Sequence, residues 1–555
     1  MTEGIDHRLR GRWAPHGAHQ DKLPARSLRW LSTRIGASEV ASPGTEGEPG
    51  EPSPTTLPTA AQADLTEILG HERLTTDPAA RLGRAGGLSY LDLLHQRGFG
   101  ELAVPDAIAL PSDAEQVQRV LECCVRHDIA VVPFGGGTSV VGGVSALRGG
   151  KAAVLALDLV GLDQLHSVDP VSRLAVFGAG TRALAAERML RAHGLTLGHV
   201  PQSAERASIG GFAATRSAGQ ASSGYGRFED MVAGLRLATP RGPWRLGVAP
   251  ASAAGPDLRA LALGSEGTLG VLTEVTLRVR PLPTVERYEG FVLDGWTRGQ
   301  EAVRALAQAG CLAEVTRLSD SDETNVSFAL RGGMRTAALR GYLRARGVRE
   351  PNLLVLGWHA GSRAELARRR AVTLGVLRRF RPVRLGTAAG EAWRRGRFGG
   401  PRQRDVLLDA GVCVETLETA GFWSGLDRLR DAVRTALRTE LTGHGRAPLI
   451  MCHISHAYET GASLYFTVLV PRAHGDELGQ WQRAKAAACA AIAGWSDPDV
   501  GEPLGTITHH HAVGTDHAPY LEAEIGALGV DVLRQLKHTL DPTGILNPGK
   551  LLPDA

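Results

Sequence analysis

From about Leu102 the apolar residues of the chain fall into regular spacings. Ser112 followed by Glu115 has the form of a capping box, and Val117, Val120, Leu121, Cys124 and Val125 recur at helical spacing, predicting an amphipathic helix. The β-rich run Ile129 to Phe134 predicts a strand that feeds directly into three glycines. Strands are also expected at Ala152 to Leu159, Leu174 to Phe177 and Gly270 to Val279, with a helix from Arg182 to Ala192 closed by Gly194. Pro281 and Pro283 then mark a domain boundary. Beyond them, helical patterns at Gly299 to Ala309, Ala364 to Arg379 and Leu426 to Leu441 alternate with strand patterns at Leu353 to Trp358 and Ser463 to Val470. That alternation predicts a second α/β domain. A last helix is expected over Ile525 to Leu540, with Ile525, Leu528, Val532, Leu536 and Leu540 as its apolar face.

The stretch 36–63, rich in Gly, Pro, Glu and Ser, offers little to bury and reads as a linker. At 555 residues the chain exceeds what one core serves. The expected organisation is an N-terminal extension (1–100), a first domain (101–283), a second domain (284–500) and a C-terminal segment (501–555) that returns to the first.

Composition changes this picture little: 43% hydrophobic and 22% charged residues describe an ordinary folded protein. The net charge of +4 comes from mixed basic and acidic residues without a basic block, so no nucleic-acid partner is expected. Arg368 to Arg370 and Arg378 to Arg379 read as solvated helix faces. The six cysteines show neither CxxC pairs nor zinc spacing, which fits a reducing, cytoplasmic setting. The first residues carry no apolar signal core, no run approaches the roughly 18 apolar residues of a membrane span, and the last three residues are not a peroxisomal SKL address.

The chemistry begins at Gly135-Gly136-Gly137-Thr138-Ser139. Successive glycines let backbone N–H groups approach an anion, and the two hydroxyls can add donors, so a diphosphate is the natural guest; alone, a tight turn has equal claim. A P-loop would need Lys-Ser/Thr after the last glycine, where Gly143 and Val144 stand. A Rossmann fingerprint would need a third glycine at Val140 and a helix after it. Small residues with hydroxyls recur at Thr215-Arg216-Ser217-Ala218 and Gly264-Ser265-Glu266-Gly267-Thr268-Leu269-Gly270, which turns alone do not explain.

VVPFGGGTSVVGG (131–143), GHVPQSAERASIGGFAATRSAG (198–219), YGRFEDMV (225–232), ATPRG (238–242) and GSEGTLGVLTEVTLRVRPLP (264–283) resemble the PCMH-type FAD-binding domain of the vanillyl-alcohol oxidase superfamily. Within it, RDVLLDAGVCVET (404–416), CHISHAYETGASLYF (452–466) and THHHAVG (508–514) resemble the alkyldihydroxyacetonephosphate synthase family, with a weaker match near Trp13. The resemblance implies an α+β fold: a PCMH-type FAD-binding domain of two subdomains, and an α+β cap (substrate) domain of antiparallel sheet and helices. It implies non-covalent FAD held by Pro133, Phe134, Gly135, Gly136, Gly137, Thr138, Ser139, by Gln202, Ser203, Ala204, Glu205, Arg206, Ala207, Ser208, by Thr215, Arg216, Ser217, Ala218, and by Gly264, Ser265, Glu266, Gly267, Thr268, Leu269, Gly270.

The histidines His509, His510 and His511 can supply a general base and hydrogen bonds to an anionic substrate. A metal with His456 or His517 as extra ligand, and a solvated loop, are the rival readings. The resemblance places the His run in the active site, Tyr465 as acid/base, Arg404 on a substrate phosphate, and Arg317 and His199 as further functional residues; a tyrosine is a proton donor at neutral pH unless nearby cations lower its pKa, which clustered His and Arg could do. No metal is expected on that reading. The implied reaction exchanges the acyl chain of an acyl-dihydroxyacetone phosphate for a fatty alcohol, with FAD as an electrophilic anchor. The alternative is a FAD-dependent oxidase or dehydrogenase of a 2-hydroxy acid or alcohol on the same fold. A homodimer and a peripheral membrane contact for a lipid-handling protein complete the expectations.

Overall fold

Among the described residues four sheets organise the chain, each built where β-rich runs alternate with helical ones. The computed structural model describes residues 13, 25–36, 50–443, 447–494 and 502–552. Strands Ala107–Ala109, Ala153–Asp158 and Ile129–Phe134 pair in parallel in that order, and the two-residue strand Leu74–Thr75 caps the outer edge. Parallel strands buried on both faces need continuous apolar runs, and every residue of Ala153–Asp158 is buried. Asp158, the one charge there, is paired with Arg84 at 2.9 Å. At the far edge, the Val131 backbone bridges in parallel to Leu546, so the C-terminal segment completes this sheet. Lys537 secures that return by donating to the Thr268 and Leu546 carbonyls at 3.0 and 2.6 Å.

The helix expected after Ser112 spans Ala114–Arg126, but its N-cap is Asp113, whose carboxylate accepts from the Gln116 N–H at 2.8 Å. Ser112 instead meets the Gln116 side chain. An aspartate one residue closer to the first turn outcompetes the serine, and its charge suits the helix N-terminus. The predicted linker is also shorter than expected: helix Thr59–Leu69 starts inside it and buries Ala61, Leu65 and Leu69 under the parallel sheet. The rest of the expected linker falls largely on 37–49, outside the described residues.

A second, five-stranded antiparallel sheet runs Leu165–Asp169, Leu174–Gly178, Val271–Arg278, Val232–Thr239, Gly242–Leu246. The third is a two-stranded ladder, Leu195–Thr196 with Arg280–Pro281. The fourth has seven strands in the order Val383–Leu385, Val285–Asp294, Pro351–Ala360, Val315–Ser319, Leu449–Ile454, Gly461–Pro471, Val412–Phe422. Every neighbouring pair in it is antiparallel. The α/β alternation expected from 284 onward is therefore a helix-covered antiparallel sheet, because intervening helices return the chain to neighbouring strands in opposite directions.

Among the described residues of the expected extension, Leu88, Tyr90, Leu93 and Leu94 lie in the core of the seven-stranded sheet. One expectation fails on burial. The last helix spans Leu521–Leu540, is interrupted at Gly526 (φ 72°), and leaves Ile525, Leu528 and Val532 exposed, Leu528 to 78%. Its expected inner face is solvent-facing because Leu521 and Val530 are the positions that pack inward. Of the arginines read as solvated, Arg369 and Arg370 pair with Glu314 and Glu289 at 2.6 and 2.8 Å. All six cysteines are buried and free. Among the described residues no helix is long and apolar enough to cross a membrane.

Candidate active site

Three adjacent strands of the seven-stranded sheet place one row of side chains side by side: Glu418 pairs with Tyr465, and Tyr465 with His453. Directly opposed residues share a face, so these three look the same way. The His453 and Tyr465 rings stack, centroids 4.9 Å apart and 20° from parallel. On the next strand Arg317 reaches the His453 ring at 3.0 Å and pairs with Glu323 at 2.6 Å.

The His run lies over this row because Glu418 carries it. The buried carboxylate accepts from the N–H groups of His509, His510 and His511 at 2.7, 3.0 and 2.9 Å, and from the Thr508 hydroxyl at 2.7 Å. Three like-directed N–H groups around a carboxylate form an anion nest. The rings then interlock. The Tyr458 hydroxyl and His509 Nε2 are 2.6 Å apart, and Nδ1 of His509 and of His510 are 2.9 Å apart. His510 stacks on Tyr465 at 5.9 Å, and His511 meets its edge at 5.5 Å. From the other side, His456 Nε2 lies 3.0 Å from the Gly219 carbonyl, which ties the cluster to the segment 215–219. His199, nearly fully buried, sits 3.2 Å from the Ser217 hydroxyl, and its Nδ1 has no partner among the described residues.

Electrostatics follow from burial. It pushes His510 and His456 down to about 3 and His511 to about 4, while the Glu418 charge pulls His510 and His511 back up. Burial and His456 also push His199 to about 3. Burial alone would raise Glu418, yet the histidines and the N–H nest hold it well below the usual carboxylate range. At neutral pH the histidines are neutral and Glu418 is charged, so there the N–H nest, not imidazolium charge, sustains its low pKa.

Tyr465 departs from the expectation. Burial pushes its pKa up to about 12, with Thr416 and Arg404 pulling weakly the other way and Glu415 and Glu418 adding to the rise. The nearby histidines were expected to lower it, but buried neutral imidazoles carry no charge to do so. Tyr465 is a phenol throughout the neutral range.

Arg404, on helix Gly400–Asp409, pairs with Glu415 at 3.3 Å and donates to the Leu88 carbonyl, while its buried Nε has no acceptor among the described residues. Arg317, expected as a substrate-binding residue, has its guanidinium engaged by Glu323 and His453 and so supports the His453–Tyr465 stack. The ring nitrogens of His456, His509 and His510 lie within 4.8 Å of one another, a spacing that would suit a metal ion.

The four segments expected to hold FAD converge into one cradle. A Cβ on Gly136 would fall 2.3 Å from the Arg206 carbonyl oxygen, one on Gly135 2.4 Å from Ser208 Oγ, and one on Gly267 2.8 Å from the Pro133 ring. Gly137 holds φ 60°. Side chains at these glycines would collide with the neighbouring segment, so the glycines are what let 133–139, 202–208 and 264–270 pack together. Several hydroxyls expected to face FAD are spent locally: Ser139 Oγ accepts from Gly143 N–H at 2.9 Å, while Ser265 and Thr268 donate to the Ala262 and Ser265 carbonyls at 2.8 and 2.7 Å. The Glu266 carboxylate accepts from the Val513 and Gly514 N–H groups at 2.8 and 2.9 Å and so anchors the end of the His loop. Arg206 donates to the Trp13 carbonyl and stacks over its ring, while the Trp13 N–H donates to Asp405, beside Arg404, at 2.9 Å.

Glu418, His453 and Tyr458 escaped the sequence reading. A signal was present: VCVETLETAGF (412–422) has an apolar, strand-like start yet carries two glutamates, and charges on a buried strand demand partners.

The fold and cradle define a two-part FAD-linked flavoprotein. Family models agree: the FAD binding domain matches residues 105–246, and the C-terminal domain of FAD linked oxidases matches 282–551. FAD is its cofactor. The alkyldihydroxyacetonephosphate synthase of Trypanosoma brucei brucei is 30% identical over 88% of this chain and 80% of its own length. That of Dictyostelium discoideum is 30% identical over 87% and 79%. A solved structure of alkyldihydroxyacetonephosphate synthase superposes with a TM-score of 0.78 at 25% identity, covering 94% of this chain and 92% of its own. The chain belongs to the alkyldihydroxyacetonephosphate synthase family.

Proposed function

We propose that this chain exchanges the acyl group of an acyl-dihydroxyacetone phosphate for a fatty alcohol, giving an ether lipid precursor. The observation that carries the reading is a phenol, Tyr465, and a neutral histidine run set around the single carboxylate Glu418. An acid and a base in complementary protonation states, in one place and at one pH, are what this exchange requires.

Arg404 offers its guanidinium to the substrate phosphate, a planar fork suited to that group. His510 or His511 takes the proton beside the ketone. The imidazolium so formed stands 3.6 Å (His510) or 3.9 Å (His511) from the Glu418 carboxylate, which offsets its charge in a buried site until it returns the proton to the same carbon, once the alcohol is attached. Tyr465 hands its proton to the departing carboxylate and recovers one from the incoming alcohol. The glycine cradle holds the FAD diphosphate, and FAD, when bound, supplies an electrophilic ring system for covalent catalysis. The sum is redox-neutral: the alcohol loses its hydroxyl proton, and the acyl chain leaves as a fatty acid.

A peripheral membrane contact through the exposed Ile525, Leu528 and Val532 would suit a water-insoluble alcohol. Family membership supports a homodimer, and the six free, buried thiols support a reducing, cytoplasmic setting.

The test is product analysis. FAD-loaded protein given acyl-dihydroxyacetone phosphate and hexadecanol should release fatty acid and form the hexadecyl ether in equal amounts. Fatty acid without ether would refute the exchange.

A further inference from the structure

Helices Ala25–Ile35, Ser321–Arg331 and Gly333–Ala345 border a half-open cleft of about 420 Å³. Arg34, Arg340, Arg344 and Arg349 line it, with Asp322 as the one acid and Trp30 as an apolar wall. None of the groups around Tyr465 contributes to it.

The charge there is unbalanced. Asp322 is already shared between Arg34 at 3.5 Å and Arg434 at 3.1 Å. Among the described residues no carboxylate pairs with Arg340, Arg344 or Arg349. The two flanking helices add to the excess, since ARSLRWLSTRI and GMRTAALRGYLRA contain arginines and no acid. Arg344 and Arg349 are exposed, whereas Arg340 is half-buried. Arg340 is laid over the Phe328 ring at 5.6 Å, and its buried Nε has no acceptor among the described residues. A buried N–H without an acceptor is costly, and a ligand oxygen would remove that cost.

We infer that this cleft binds a phosphate monoester at a site separate from the candidate active site. Several guanidinium groups converging from two helices and a strand end match a dianion with three oxygens, which a single carboxylate would leave underused. The volume admits more than inorganic phosphate, and Trp30 provides a wall for the apolar or glyceryl remainder of the ester. The Arg349 N–H, donated to Asp294 at 2.8 Å, fixes the strand-end loop that presents its side chain at the mouth. Two sources share this chemistry: a soluble phosphate ester and the headgroup of a phosphatidic-acid-like lipid.

The experiment uses the FAD-loaded full chain carrying Arg404→Gln, so that the other guanidinium read as a phosphate contact is silent. Calorimetric titration with glycerol 3-phosphate forms one arm, and flotation with phosphatidylcholine vesicles with and without phosphatidic acid forms the other. Adding Arg340→Gln with Arg344→Gln should weaken binding at least tenfold in one arm or both. Loss in the titration alone identifies a soluble ester, and loss in flotation alone a lipid headgroup. Arg344→Gln with Arg349→Gln, both exposed and so safe for folding, should reproduce the effect, while the same pair in a chain retaining Arg404 leaves turnover unchanged. Binding equal to that of the Arg404→Gln parent in both arms would overturn the inference.

Discussion

Glu418 and Tyr465 stand opposite each other across paired antiparallel strands, and Glu418 also holds the three-histidine loop by its backbone. One carboxylate thus sets the position of both the acid and the base. Glu418→Ala leaves four donors without their acceptor, at about 1 kcal/mol net each, so Tm should fall by several degrees. Glu418→Gln keeps one oxygen and should fold, with turnover reduced about a hundredfold. A Glu418→Gln enzyme of unchanged rate would place the loop's support elsewhere.

Tyr465→Phe should cost about a hundredfold to ten-thousandfold in kcat and leave FAD bound. Because the phenol titrates only near 12, the wild-type rate should show no Tyr-linked loss between pH 7 and 10. A pH–rate profile falling through 8 to 9 would contradict a protonated Tyr465.

The buried histidines make the protein acid-sensitive. Their folded pKa values lie below the ordinary 6.5, so their stabilisation is complete above 6.5 and is lost as pH falls toward 4 and 3. Glu266 runs the other way. Burial raises it to about 7, so its contribution is complete below the usual Glu range and is lost as pH rises through 7. Urea midpoints measured from pH 4 to 8 should rise to about 6.5. Glu266→Gln should steepen the rise between 4.5 and 7 by removing this opposing loss.

Gly136→Ala drives a Cβ to 2.3 Å from a carbonyl oxygen of the backbone, which has no room to yield. The purified variant should carry little flavin, read from the ratio of visible to ultraviolet absorbance. Gly341→Ala, with open space around it, should remain fully yellow.

Trp13 joins Arg206, next to the glycine cradle, to Asp405, next to Arg404. Trp13→Ala should therefore raise KM for the phosphate-bearing substrate severalfold while changing kcat less. Equal changes in both would assign Trp13 a merely structural part.

Much of this was legible along the chain. The glycine loop follows a strand as its apolar run predicted, and most helices fall within a few residues of their patterns. Local spacing carries such information because each signal lies within one element. What it misses is long-range. Glu418 meets His509 across 91 residues and Trp13 meets Asp405 across 392, and no periodicity encodes such pairs. The last helix shows the opposite error: Ile525, Leu528 and Val532 have core spacing yet face solvent, since periodicity reports an apolar face and not what covers it. The raised pKa of Tyr465 was illegible for a related reason, because the sequence names the neighbours of a phenol while burial decides whether they are charged.

The most direct test is an anaerobic reaction in which flavin absorbance and product are followed together. With acyl-dihydroxyacetone phosphate and hexadecanol, ether should accumulate over many turnovers and the flavin should end as oxidised as it began; 2-hydroxy acids should leave the spectrum unchanged. Lasting bleaching by a 2-hydroxy acid, with no ether formed, would contradict the account and identify an oxidoreductase.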